Sequence, residues 1–98
     1  MSKKVDTKLS SQFQIAETDT FSKNISNRKY AFLYPKIKNY VYPILKNNPF
    51  FGANIKKLKG DFSGYYRYRI GKYRLFYTVD QDRIIVFIIN IQHRKESY

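Results

Sequence analysis

The stretch YYRYRIGKYRLFY, Tyr65 to Tyr77, constrains the fold more than any other part of the chain. Two runs of alternating residues flank Gly71-Lys72, and a two-residue connection with glycine first is the composition of a type II′ hairpin turn. Counting outward, Ile70 faces Tyr73, Arg69 faces Arg74, Tyr68 faces Leu75 and Arg67 faces Phe76. Side chains alternate between faces of a strand. One face therefore carries Tyr66, Tyr68, Ile70, Tyr73, Leu75 and Tyr77 and reads as core. The other carries Arg67, Arg69 and Arg74, although like charges directly opposite each other destabilise a sheet.

The strands around this hairpin follow from periodicity. IIVFII, Ile84 to Ile89, is apolar at every position. It predicts a strand over Arg83–Ile91, covered on both faces and therefore central in the sheet, and too short to span a bilayer. If Asp80–Asp82 form a three-residue turn, Val79 faces Arg83 and Leu75 faces Phe87. Residues 84 to 94 at even positions, Arg94 included, then share the arginine face. A turn of two or four residues puts His93 there instead, because a one-residue slip exchanges faces.

Upstream, Phe13–Glu17 predicts a first strand. Asp19 or Thr20 is positioned to cap a short helix carrying Phe21 and Ile25. Tyr30, Leu33, Ile37, Tyr40, Val41 and Ile44 recur at helical spacing, with a start or break expected near Pro35 and a kink or end near Pro43. Asn47–Gly52 ends the helical region. Ile55–Gly64 reads as a basic lead-in to the hairpin. The order is strand, two helices, three strands: a single α+β domain over residues 1–98.

The 98 residues carry a formal net charge of +12. Self-repulsion of this size calls for an anionic partner such as nucleic acid, an anionic membrane or an acidic protein. With 43% hydrophobic residues the chain is not a disordered tail. Met1–Gln12 is polar, so no secretory leader is expected, and neither is a membrane location. The chain has no cysteine, which excludes disulfides, zinc–thiolate sites and thiol nucleophiles and suits the cytoplasm. A lone histidine, scattered carboxylates and glycines outside any phosphate-binding pattern provide neither a metal cluster nor a P-loop. No metal or cofactor is expected.

What remains is basic and aromatic. Arginine forks hold phosphate bidentately, and aromatic rings beside them suit unpaired bases. Each element alone has a plainer reading: an arginine pair as a solvated face, His93 as structural, Tyr98 as an end residue, IKKLKG as a loop.

Together, NPFFGANIKKLKG, YYRYRIGKYRLFYTVD and IIVFIINIQHRKESY, over about Asn48 to Tyr98, resemble the RelE/ParE superfamily of toxins. The spacing of L-K-G, Y-R-x-R-x-G-x-Y-R and H-R-x-x-x-Y carries the likeness. The resemblance implies two N-terminal helices packed on a twisted, mainly antiparallel sheet of about four strands. For RelE-like members it implies a metal-independent endoribonuclease that cuts mRNA in the ribosomal A site and is silenced by a cognate, acidic, partly disordered antitoxin. Carried over by position, Arg74, His93, Arg94 and Tyr98 are the catalytic candidates. Arg67 and Arg69, with Lys57, Lys59 and Lys72, are the RNA-binding ones. His93 is suited to proton transfer because an imidazole can both accept and donate a proton. ParE-like members instead inhibit DNA gyrase without hydrolysing RNA. A basic RNA-binding module without activity is the third alternative.

Overall fold

The computed structural model of the chain describes residues 12–96. Five strands, β1 (Gln14–Glu17), β2 (Ile55–Lys57), β3 (Tyr65–Ile70), β4 (Tyr73–Asp80) and β5 (Ile85–His93), form one sheet in the order β1-β5-β4-β3-β2. All neighbours are antiparallel except β1, which runs parallel to β5 at one edge. The fifth strand departs from the expected four. Ile55–Lys57 does not stay a lead-in segment; it adds to β3, with Ile55 opposite Tyr68 and Lys56 opposite Arg67.

The first hairpin has the register read from sequence, Arg69 opposite Arg74 and Arg67 opposite Phe76. Gly71 has φ of 56°, the left-handed conformation that the first position of a type II′ turn requires and glycine adopts without a steric penalty.

The second hairpin differs from expectation twice. β4 runs through Asp80, which pairs with Ile85, so the connection spans residues 81–84 and β5 starts two residues later than predicted. Asp80 Oδ1 accepts the Arg83 amide at 3.0 Å and Oδ2 accepts Arg83 Nε at 2.8 Å, closing the turn. Ile84 completes it with φ of 58°, unusual for a β-branched residue. A bulge then interrupts the ladder: Tyr77 faces Ile88 but Phe76 faces Asn90, leaving Ile89 as the extra residue. Thr18 stands at this point, where β1 ends. Its hydroxyl donates to the carbonyl oxygens of Ile88 at 2.7 Å and Ile89 at 3.2 Å.

Thr18 also caps α1 (Asp19–Ile25), accepting the Phe21 amide at 3.3 Å, so the cap lies one residue before the expected Asp19 or Thr20. Asp19 in the first turn and Lys23 in the last complement the helix dipole. The second helical region begins with a 3₁₀ turn, Ala31–Leu33, and continues as α2 (Tyr34–Lys36), a π-turn (Ile37–Val41) and α3 (Tyr42–Asn47). Pro35 sits in the first turn of α2, as anticipated. Near Pro43 the helix neither stops nor breaks. The Tyr42 amide reaches back five residues to Ile37 O, and the widened turn accommodates a proline that has no amide to donate. The extra residue advances the buried stripe. Tyr42 and Leu45 turn inward, while Tyr40 and Ile44, expected in the core, are 67% and 42% exposed. Asn48 ends the region, its side-chain oxygen accepting the amides of Phe50 and Phe51.

Both helical regions cover the same sheet face. Phe21, Ile37, Val41 and Leu45 pack on Leu75, Tyr77, Val86, Ile88 and Ile91. Tyr77 brings a hydroxyl into this core and donates it to Pro49 O at 2.7 Å. The opposite face carries no helix. β5 lies between β1 and β4, an interior position as expected, but only one of its faces is covered: Val86 and Ile88 are buried beneath the helices, whereas Ile85, Phe87 and Ile89 keep partial solvent access. No helix among the described residues is long and apolar enough to cross a membrane.

Candidate functional site

On the open face, cross-strand pairs line up in rows. One row runs Lys56, Arg67, Phe76, Asn90 across β2 to β5; the next runs Arg69, Arg74, Gln92 across β3 to β5. Arg67 and Arg74 are diagonal neighbours, whose backbones lie about 7–8 Å apart. That separation lets two long guanidinium side chains meet on a single phosphate.

These residues line an open groove of about 670 Å³. Its floor is Arg67, Arg74, Phe76, Asn90 and Gln92; its wall is Lys56, Leu58, Asp61, Phe62 and Tyr65. The wall comes from β2 and the 3₁₀ turn Gly60–Phe62. The cationic floor beside aromatic rings suits an anionic ligand that also carries planar groups. Asp61 adds one carboxylate to the lining.

The expected site residues distribute unevenly. Arg67 and Arg74 are in the groove, and Arg69 is exposed on the same face. Lys57 pairs with Tyr66 and so belongs to the helix-side face; Lys56 takes the place on the groove side. Lys59 is exposed ahead of the 3₁₀ turn, and its carbonyl accepts the Phe62 amide. Lys72 is exposed in the hairpin turn, where its carbonyl accepts the Arg94 amide at 2.8 Å.

His93 faces Tyr73, on the helix side. The four-residue connection alone would have turned it toward the arginines, but the bulge at Ile89 reverses the alternation and gives that place to Gln92. The imidazole packs edge-on against Tyr73, with ring centroids 5.2 Å apart, and Tyr73 also meets Tyr30 and Phe32. Nδ1 accepts the Lys95 amide at 3.1 Å, which leaves the proton of the neutral ring on Nε2. Arg94 is exposed in the 3₁₀ turn Arg94–Glu96 that follows β5. Tyr98 lies outside the described residues. The even-position expectation for β5 holds past the bulge, at Asn90 and Gln92, but not before it, where Val86 and Ile88 are core.

Sequence reading missed Lys56, Asp61 and Phe62, and it placed Asn90 and Gln92 on the arginine face without making them site residues. The alternation of Ile55 and Lys56 was the available signal for the first. Asp61 and Phe62 required the 3₁₀ turn, which no local pattern announces. Among the described residues no group of three His, Cys, Asp or Glu side chains is placed to hold a metal ion.

The fold has solved counterparts. The RelBE2 toxin–antitoxin complex of Mycobacterium tuberculosis is similar at 23% identity and a TM-score of 0.70, over 85% of this chain and 99% of that one. The YoeB dimer of Staphylococcus aureus is similar at 25% identity and 0.62, over 84% and 97%. The archaeal RelE–RelB complex of Pyrococcus horikoshii is similar at 20% identity and 0.62, over 85% and 96%. No curated protein sequence matches the chain. The family described as the ParE toxin of type II toxin–antitoxin system, parDE, matches residues 35–98, well over half of the chain. With helices on one face of the sheet and a basic groove on the other, the chain belongs to the ParE toxin family of type II toxin–antitoxin systems, within the RelE/ParE toxin superfamily.

Proposed function

We propose that this toxin is a metal-independent endoribonuclease that cleaves mRNA, on the ribosome, and so stops translation. The observation that carries the reading is the groove on the helix-free face, which Lys56, Arg67 and Arg74 line together with the exposed ring of Phe62 and the half-buried rings of Tyr65 and Phe76. Cleavage by a 2′-hydroxyl needs charge neutralisation at phosphorus, a base and an acid. Arg67 and Arg74, the cations of the groove floor, provide the first. Proton transfer falls to His93, at the end of β5, or to Tyr98. His93 acts there at the rim of the sheet, Arg94 adds a cation, and Tyr98 is the second candidate for proton transfer. Lys72, Lys59 and Arg69 extend the basic surface along the flanking RNA backbone. The partner that silences the toxin is an antitoxin, as in the RelBE2 and RelE–RelB complexes, with an acidic, partly disordered segment that folds onto the basic surface.

Primer extension on translated mRNA after induction tests the reading. Cuts that need the ribosome are expected, and Arg74→Ala abolishes them. His93→Gln is expected to slow cleavage by about a hundred- to ten-thousand-fold while binding persists. Cleavage at the wild-type rate in that variant assigns proton transfer to Tyr98. One observation favours a gyrase-directed toxin instead: His93 packs into the Tyr30, Phe32, Tyr73 cluster rather than into the groove. Gyrase-linked DNA breaks without mRNA cuts would select that reading.

A further inference from the structure

Two groove residues have chemistry that phosphate binding does not use. Phe62 is 60% exposed although it sits on a wall of the groove. It is not a loose side chain. The 3₁₀ turn that carries it is fixed by the Phe62 amide on Lys59 O at 3.3 Å and the Ser63 amide on Gly60 O at 3.0 Å. Gly60 and Gly64, with φ of 67° and 95°, set the turn's two ends. Tyr65 supports the ring edge-to-face, with centroids 6.5 Å apart and planes at 89°. Gln92 is the second residue. It stands opposite Arg74, half-buried in the floor, and its amide has no hydrogen-bond partner among the described residues. The neighbouring Asn90 amide is already engaged: its oxygen accepts from Asn24 Nδ2 and from the Ile91 amide.

We propose that the groove is a nucleotide subsite in which an unpaired RNA base stacks on Phe62 and presents its Hoogsteen edge to the Gln92 amide, with its phosphate on Arg67 and Arg74. The inference rests on the reading that the toxin acts on RNA. A free aromatic ring beside cations fits a single-stranded nucleotide because every base has a face to stack and every linkage a charge. The amide adds selectivity. Glutamine offers one donor and one acceptor side by side, which complement the N7 acceptor and N6 donor of adenine. Guanine shows two acceptors on that edge and leaves the glutamine oxygen facing another oxygen. Purines also provide the larger stacking area. Adenine is therefore the preferred base.

The test measures binding of the full-length protein to short RNAs whose central nucleotide is A, G, C or U. Each carries a 2′-O-methyl group at that nucleotide to prevent cleavage. Circular dichroism melts of every variant confirm folding. Wild type is expected to bind the A-centred RNA most tightly. Phe62→Ala is expected to weaken all four by about 5- to 150-fold, and Phe62→Trp to retain binding. Gln92→Ala is expected to erase the preference for A over G, and Gln92→Glu to shift it toward C, whose N4 donor a carboxylate accepts. If wild type binds no RNA at low salt, this subsite falls, while ribosome-dependent cuts in the primer extension would keep the RNA reading. If wild type binds and Arg74→Ala does not, while Phe62→Ala and Gln92→Ala behave as wild type, the RNA reading stands and the subsite is wrong. Displacement of the A-centred RNA by polyglutamate as readily as by unlabelled RNA would reduce the groove to a general anion site and overturn the proposal.

Discussion

The two faces of the sheet are built from alternate residues of the same strands. On the covered face, Leu75, Tyr77, Val86, Ile88 and Ile91 are fully buried beneath the helices. On the open face, Arg67, Arg74 and Gln92, from the same strands, keep solvent access, and Arg69 lies opposite Arg74. Burial of apolar surface drives folding on the first face. On the second, like charges oppose folding slightly and favour an anionic ligand. The contrast separates what holds the chain together from what it binds, so substitutions on the two faces are expected to fail in different assays.

The largest effect is expected from the covered face. Leu75→Ala removes a fully buried side chain and should lower unfolding free energy by about 2–5 kcal/mol in urea titrations. The adjacent Arg74→Ala should leave the urea midpoint nearly unchanged. It should instead weaken RNA binding across sequences and reduce the slope of log K against log salt by about one phosphate contact. If Arg74→Ala destabilised as much as Leu75→Ala, the division between the faces would break.

Next comes the hydroxyl inside the core. Tyr77→Phe removes the donor to Pro49 O. Leaving that carbonyl buried and unpaired should cost about 1–3 kcal/mol. An unchanged stability would mean that water or another donor reaches it.

A third test uses pH. The hydroxyls of Tyr34 and Tyr42 both donate to Glu17 Oε2 at 2.8 Å, tying α2 and α3 to the end of β1. Burial, followed by this hydrogen bond and the carboxylate charge, raises the ionisation of Tyr42 well above the usual tyrosine range, and that of Tyr34 in the same direction. In the unfolded chain both ionise near pH 10 while the folded chain retains the protons. Their contribution is therefore complete below pH 10 and declines as pH rises toward the folded values. Tyr42→Phe should flatten the loss of stability above pH 10 measured by urea titration at successive pH values. An unaltered alkaline slope would release Tyr42 from that role.

The smallest effect belongs to the open face. Arg69→Thr relieves the pairing with Arg74 and should leave the protein equally stable or a few tenths of a kcal/mol more stable, on the order of other cross-strand pairs. Toxicity should fall. A clear loss of stability would make Arg69 a structural residue and blur the comparison.

The first hairpin was legible because Gly71 fixes a two-residue turn and strict alternation does the rest. The second was not, because residues 81–84 contain no glycine and the left-handed position is occupied by Ile84. The bulge was beyond local reading as well. Its carbonyls are held by Thr18, some seventy positions earlier, so no pattern within IIVFIINIQH announces it. The helical stripe failed at Tyr40 and Ile44 for a related reason: a π-turn changes the period that the spacing assumed. The site divides along the same line. Arg67 and Arg74 followed from the hairpin alone. Lys56, Phe62 and Gln92 depended on β2, on the 3₁₀ turn and on the bulge, each set by tertiary pairing. The histidine at the end of β5 was recognisable as a motif residue, but its facing was not.

The bulge at Ile89 has a consequence for how such chains vary in length. Deleting a residue from an interior strand ordinarily inverts every side chain after it, driving polar groups into the core. At Ile89 the deletion would only iron out the ladder: Asn90 would still oppose Phe76, Ile91 would still oppose Leu75, and Gln92 and His93 would keep their present facings. A gap between two relatives can therefore fall inside this buried strand, rather than in a loop, without moving a single binding residue to the wrong side.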